Sequence, residues 1–177
     1  MRYISFSYSD EITTRDNIKM SRLIMSPAYK QLWGDRFTLS KTGERRLENN
    51  MTGFKLATSV GGVSTGERGD CVLLDDPHNV TKIDSVLERE KTVRFVRESM
   101  SNRLNDEQSA IVIIMQRLHD ADVSGDILAR EANYCHMLIP MYFDPLRYPA
   151  RADGTATEDP ARHAARISPG PPPDHRF

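Results

Sequence analysis

The chain has 177 residues, with 24 Lys and Arg against 25 Asp and Glu, so its formal net charge at pH 7 is −1. This length predicts one domain, or one domain with a tail, and the near-zero charge excludes a protein that holds nucleic acid by bulk charge alone. No apolar run approaches the roughly 20 residues of a membrane-spanning helix. The two cysteines, Cys71 and Cys135, are too few for a disulfide framework, and their apolar surroundings predict buried, reduced thiols.

The first 60 residues predict a strand, a helix and a second strand. Residues 3–8, YISFSY, alternate apolar and polar side chains and are rich in aromatic and β-branched types, which indicates a strand. Thr13 or Thr14 is expected to cap a helix that ends before Pro27. Residues 54–60, FKLATSV, predict the next strand.

The middle of the chain predicts two buried strands separated by a long helix. Residues 71–74, CVLL, form a continuous apolar run, which is typical of a strand buried on both faces of a parallel sheet. In the helix that follows, Ser85 and Glu88 have capping-box spacing, and an apolar stripe extends to residue 104. Residues 110–115, AIVIIM, predict the second buried strand.

The last third of the chain predicts a short helix, a final strand and a tail. The helix is expected over 122–132 and the strand over 134–139, YCHMLI. Strands that alternate with helices indicate an α/β fold with a mostly parallel sheet. Six of the ten prolines fall in 147–177, so 146–177 is predicted to be a Pro/Ala-rich linker or disordered tail.

The strongest chemical signal is CVLLDDP, in which a buried strand runs into Asp75, Asp76 and Pro77. Ligands of open α/β sheets bind at the carboxyl ends of the strands. Two carboxylates at such a place repel each other unless a cation or bound water relieves the repulsion. The pattern favours a Mg²⁺ site that carries phosphates, in which one Asp ligates the metal and the other orients or deprotonates a water. The alternative is a solvated turn, for which Asp and Pro are ordinary residues.

Polar side chains also follow the second buried strand. Gln116 and Arg117 would lie at its tip beside the carboxylates, where an amide and a fixed positive charge are suited to sensing a γ-phosphate; the alternative is a plain surface segment. His78 is expected to be a turn residue rather than a base. His119 and Asp122 lack the Cys or His companions of a zinc site.

The glycine-rich stretch 60–70, VGGVSTGERGD, is not a phosphate-binding loop. Glu67 and Arg68 stand where such a loop needs Lys and Ser or Thr, and the stretch opens a strand rather than a helix. It predicts a flexible loop in which Arg68 contacts nucleic acid or another subunit, with an ordinary surface loop as the alternative.

In this order, these segments resemble the large subunit of tailed-bacteriophage terminases, the ATPase that packages DNA. The resemblance covers about residues 2–145, and it rests on ISFSYSDEITTRDNIKMSRLIMSPAYKQLWG, GGVSTGERGDCVLLDDPHN and IVIIMQRLHDADVSGDIL. It implies an incomplete RecA-like P-loop NTPase (ASCE) three-layer fold, with 1–145 as a partial ATPase domain.

The resemblance also implies roles for individual residues. In that family a hydrophobic strand ending in an acidic pair is the Walker B element, so Asp75 would ligate the Mg²⁺ of Mg-ATP and Asp76 would be the catalytic carboxylate. Gln116 and Arg117 would lie in the motif that couples hydrolysis to DNA movement.

The implied partners are double-stranded DNA, the terminase small subunit, the portal protein and further copies of the motor subunit, with no membrane. The implied location is the host cytoplasm, with transient docking on the procapsid and no structural place in the mature virion.

The sequence departs from the family because it has no Gly-x4-Gly-Lys-Ser/Thr and no nuclease region. We therefore expect a fragment without the Walker A region and the nuclease domain, with negligible ATP hydrolysis by itself. We also expect an unpaired apolar edge on strand 71–75, which would make the chain poorly soluble or dependent on a partner. Two alternatives stay open: a metal-dependent nuclease using Asp10, Asp75 and Asp76, and a non-enzymatic binding remnant of a degraded prophage gene.

Overall fold

Six strands form a single mixed sheet in the computed structural model, which describes residues 1–62, 66–130 and 132–139. The strands are β1 (Arg2–Ser7), β2 (Leu39–Thr42), β3 (Arg46–Asn49), β4 (Phe54–Ser59), β5 (Cys71–Asp75) and β6 (Ala110–Ile114). Their order across the sheet is β2-β3-β4-β1-β5-β6. The last four strands in this order are parallel, and β3 pairs antiparallel with both β2 and β4. The predicted α/β class with a mostly parallel sheet is confirmed.

Four α-helices of the described residues accompany the sheet: α1 (Asp10–Met25), α2 (Pro27–Trp33), α3 (Val86–Phe95) and α4 (Val123–Ala129). The cap of helix α1 is Ser9, four residues before Thr13: its hydroxyl oxygen accepts the Glu11 N–H at 3.2 Å, and two acidic residues occupy the first turn. Thr13 lies inside the helix, so the prediction of a cap at Thr13 or Thr14 is wrong. The helix ends at Met25, before Ser26 and Pro27 as predicted, and the Ser26 hydroxyl oxygen then caps α2.

The two faces of the sheet are covered by different helices. On one face, β1 packs against α3, and the rings of Phe6 and Phe95 meet edge to face with centroids 5.1 Å apart. The apolar side chains of this face that are fully buried are Ile4, Phe6, Val72 and Leu74. On the other face, helix α1 contacts β1 and β4, and Ser5 and Ala57 are buried there.

Helix α3 is shorter than the apolar stripe predicts. It ends at Phe95 and continues as a π-helical turn, Val96–Met100, and a 3-10 turn, Ser101–Arg103. Val93, Val96 and Met100 are buried as expected for the stripe. The Ser85 hydroxyl oxygen accepts the Glu88 N–H at 3.4 Å. This is one of the two hydrogen bonds that define the predicted capping box.

Strand β6 lies at the edge of the sheet, and this corrects two predictions. Strand β5 pairs with β1 on one side and β6 on the other, so the prediction of an unpaired edge on 71–75 is wrong. Among the described strands, none pairs with the outer edge of β6. The prediction that 110–115 is buried is also wrong, because α1 covers β1 and β4, and Val112 and Ile114 on that face are 40% and 55% exposed.

The predicted strand over 134–139 is absent, although its residues are described. A strand needs a partner for its main-chain groups, and no described strand is paired with this segment. Cys135 is exposed and Cys71 is half-buried, so the prediction of two buried thiols is wrong for Cys135. The predicted tail over 146–177 lies outside the described residues.

The chain divides into two compact units, Met1–Asp126 and Ile127–Phe177, and the sheet lies in the first. In the described ranges, no helix has both the length and the apolar composition needed to cross a membrane.

Candidate functional site

The acidic pair lies at the carboxyl end of β5, held between the ends of its two neighbours. Asp75 is in register with Ile114, and the Asp76 N–H donates to the Ile114 carbonyl at 2.8 Å. On the other side, the Tyr8 N–H and the Ser7 hydroxyl donate to the Asp76 carbonyl at 3.2 and 3.3 Å. The structure therefore places the pair beside the tip of β6, where the sequence predicts it.

The chain connections single out this end of β5. From β1 the chain passes through α1 and the β2–β3 hairpin to β4 on one side, and from β5 it passes through α3 to β6 on the other. The connections thus leave β1 and β5 in opposite directions. In open α/β sheets such a switch point leaves a crevice at the carboxyl ends of the strands, where ligands bind.

Asp76 adopts an uncommon backbone conformation. Its φ is +41°, in the left-handed region that L residues other than Asn and Asp rarely enter. The three main-chain and hydroxyl contacts described above hold it there. Both acidic residues are exposed to solvent, although neighbouring atoms cover part of the Asp75 carboxyl. Aspartate tolerates this conformation better than most residues, so the backbone can turn sharply at the switch point while keeping a carboxylate there.

The charge on Asp75 is poorly compensated. The pKa of its carboxyl is raised above the ordinary value, first by burial and then by the negative charges of Asp76 and Asp16, with Lys55 acting in the opposite direction. Within the described part of the chain, no hydrogen bond or ion pair involves the Asp75 carboxylate. Lys55, on β4, has a pKa lowered by its own burial, and Asp16 and Asp75 oppose that shift. Lys55 is level with Cys71 across the sheet, four residues before Asp75, so it acts on the acidic pair through its charge and not by contact.

This donor set fits a divalent cation that keeps most of its water. A cation would relieve the repulsion that raises the pKa of Asp75. Residues 1–62, 66–130 and 132–139 contain no group of three His, Cys, Asp or Glu side chains able to hold a metal. A cage for Ca²⁺ or Zn²⁺ is therefore not formed by these residues, whereas Mg²⁺ is commonly bound by one or two carboxylates, waters and substrate phosphates.

Gln116 and Arg117 follow β6 directly, two and three residues beyond Ile114, which places their backbone near the acidic pair. Gln116 is exposed. Arg117 is half-buried, and its Nε lies 3.7 Å from Oδ1 of the fully buried Asp122. This Nε has no hydrogen-bond partner among the described residues. The guanidinium is held by its charge against Asp122 and by a hydrogen bond from Nη2 to the Asp120 carbonyl at 3.4 Å.

Asp122 organises the whole segment after β6. Its Oδ2 accepts the N–H groups of Leu118 and His119 at 2.9 and 3.2 Å, and its Oδ1 accepts the Gly125 N–H at 2.8 Å and the Ser124 hydroxyl at 2.7 Å. Both oxygens are engaged, so Asp122 is a helix cap and not a metal ligand. The sequence signal for this role is an aspartate directly before the start of a predicted helix. A capping aspartate accepts the N–H of the third residue after it, which here is Gly125.

Arg68 lies away from the acidic pair. Gly69, next to it, pairs with Leu104, and β5 begins two residues later, so Arg68 is at the amino end of the strand. A strand of this length separates its ends by roughly 15 Å. Arg68 lines a surface hollow with Gly66, Glu67, Glu98, Ser99, Asn102 and Arg103.

Asp10 does not complete a metal site with the acidic pair. Its Oδ2 lies 3.1 Å from the Arg45 guanidinium, and its Oδ1 is buried without a hydrogen-bond partner among the described residues. The nuclease alternative requires carboxylates of several strands around the metals, and the described residues offer no such group of three.

Comparison of the chain with known protein families and with curated proteins finds no match.

Proposed function

We propose that this chain has a RecA-like fold and contributes the Mg²⁺-binding residues of an ATP site. The site would belong to a DNA-packaging motor that resembles the terminase large subunit. The observation that carries the proposal is the pair Asp75–Asp76 at the switch point between β1 and β5, with an uncompensated charge on Asp75. Acidic pairs in this position serve to hold metal–phosphate ligands in open α/β sheets.

The proposed roles follow from position. Asp75 would hold Mg²⁺, and Asp76 would orient or deprotonate the attacking water. A bound Mg²⁺ neutralises charge on the β- and γ-phosphates. Gln116 and Arg117, just beyond the tip of β6, would respond to the γ-phosphate. Arg68, at the opposite end of β5, would contact double-stranded DNA or a neighbouring subunit.

A motor of this type also needs a phosphate-binding loop, and no Gly-x4-Gly-Lys-Ser/Thr occurs in these 177 residues. Among the described strands, none pairs with the outer edge of β6, and Val112 and Ile114 are exposed on one face, so a further strand and helix would pack there. We therefore expect the chain alone to bind Mg²⁺ weakly and to hydrolyse ATP negligibly. The terminase small subunit, the portal protein and other motor subunits are the proposed partners.

The metal site is tested with Mn²⁺ as a paramagnetic probe in NMR spectra of the whole chain. We expect line broadening centred on residues 75 and 76 and extending to Tyr8 and Ile114, and we expect Asp75→Asn to abolish it. Asp70→Asn is the matched control, because it changes the aspartate at the other end of β5 and should leave the broadening unchanged.

Broadening that persists in Asp75→Asn, or that centres on Asp70, would contradict the proposal. Cleavage of DNA with Mn²⁺ and no ATP would favour the nuclease alternative.

A further inference from the structure

Two buried polar side chains join the end of β5 to the segment that follows β6. His78 lies two residues beyond Asp76 and is only 5% exposed. Its Nε2 accepts the N–H of Val123, the first residue of α4, at 3.0 Å. This hydrogen bond spans 45 positions along the chain. Pro77, between the acidic pair and His78, is also buried, which limits the freedom of the connection.

Asp122 continues the connection toward Arg117 and the two residues that follow it. It caps α4 through Gly125 and at the same time accepts the N–H groups of Leu118 and His119. It is fully buried. The start of α4 is therefore bound to His78 on one side and to the segment after β6 on the other. Buried hydrogen bonds of this kind fix geometry, because breaking one leaves a polar group unsatisfied.

The surroundings of His78 suit a neutral acceptor. Burial lowers the pKa of the imidazole, Arg89 and His119 act in the same direction, and Asp122 acts against them. Arg89 is itself buried and donates to the Ile83 carbonyl at 2.7 Å. A protonated imidazole would present a donor to the Val123 N–H, and the connection would be lost.

We infer that His78 is a positioning residue: together with Asp122 it holds Arg117, Leu118 and His119 in a fixed relation to Asp75 and Asp76. A change at the acidic pair is thereby transmitted to the segment after β6. That His78 passes the effect of cation binding on to the segment after β6 rests on the proposed function. That His78 fixes the position of this segment does not.

The positioning is tested by amide hydrogen exchange in the absence of metal. In His78→Leu we expect exchange at Leu118, His119 and Val123 to be roughly tenfold faster than in the unchanged protein, since a buried acceptor is lost. His78→Gln, which places an acceptor at a similar reach, should restore exchange to near the original rate. His119→Leu is the matched control: among the described residues the His119 Nδ1 accepts the nearby Ala121 N–H alone, so its effect should stay local.

The transmission is tested by Mg²⁺ titration of the same proteins. In the unchanged protein and in His78→Gln, we expect amide shifts at residues 75 and 76 and also at 117–119. In His78→Leu we expect only the shifts at 75 and 76. A histidine that merely fills the core would lower stability in His78→Leu but leave the Mg²⁺-induced shifts at 117–119 in place.

The outcomes separate the two proposals. Absence of any Mg²⁺-induced shift in the unchanged protein would overturn the proposed function, while the exchange rates would still decide the positioning role. Unchanged exchange at 118 and 119 in His78→Leu would overturn the positioning role. If His78→Leu does not fold, His78→Asn replaces it, because the shorter amide cannot reach Val123.

Discussion

Strand β5 has an aspartate just before its first residue and another as its last residue. Asp70 accepts the Arg2 N–H at 2.7 Å and a hydrogen bond from the Asn105 amide, and these bonds lower the pKa of its carboxyl. Asp75 has no such donors among the described residues, and burial and neighbouring acids raise the pKa of its carboxyl. A satisfied carboxylate holds two segments together, whereas an unsatisfied one is available to a ligand.

The largest expected effect is a difference in the free energy of unfolding between Asp70→Asn and Asp75→Asn, which change the two aspartates of β5 in the same way. Asp70→Asn should lower the free energy of unfolding by about 1 kcal/mol, because charge-assisted hydrogen bonds to a partly exposed group are lost. Asp75→Asn should leave it unchanged or raise it, because a repelling charge is removed. Urea unfolding of both variants measures the difference. Equal destabilisation by both substitutions would contradict the difference drawn between the two carboxylates.

A somewhat smaller effect is expected at Asp76. Asp76→Gly should raise the free energy of unfolding by roughly 0.5–1 kcal/mol, because glycine adopts the positive φ without strain. Asp76→Ala is the control, since it removes the same carboxylate but keeps the Cβ, and it should give no gain. Thermal unfolding of the pair would show whether the backbone or the charge matters. A gain in both variants would assign the effect to charge.

The smallest expected effect is a pH dependence at His78. Its pKa is lowered from 6.5 in the folded protein, so the unfolded chain binds the proton more readily. The stability that this group contributes is therefore present above its ordinary pKa and is lost as the pH falls below 6.5. Urea unfolding between about pH 7.5 and about pH 5.5 should show a steeper loss in the unchanged protein than in His78→Gln. Parallel curves would contradict this expectation.

The sequence predicts the parallel core well because its signals there are local. Continuous apolar runs mark β5 and β6, and a carboxylate pair at the end of a run marks the edge of the sheet. The β2–β3 hairpin escapes such reasoning, because its strands are mostly polar. It depends on contacts distant in sequence, including an ion pair from Arg46 to Glu67 at 2.8 Å and the Arg46 guanidinium over the Phe54 ring at 4.3 Å.

Strand order is the main property that apolar runs do not encode. The run 110–115 predicts burial, but its exposure depends on which strands and helices flank it, and β6 proves to be the outermost strand. The same limit applies to the site. His78 and Asp122 are 44 positions apart in the sequence, and nothing in their local sequence indicates that they approach the start of the same helix.

The open edge of β6 has a consequence for biosynthesis. The strand AIVII carries no charge, and it meets β5 only after residues 76–109 have been synthesised. The opposite outer strand, β2, carries Lys41, which discourages pairing with other chains. Nascent chains at high density should therefore associate through β6 rather than β2, and the yield of soluble protein should fall as expression temperature and rate increase.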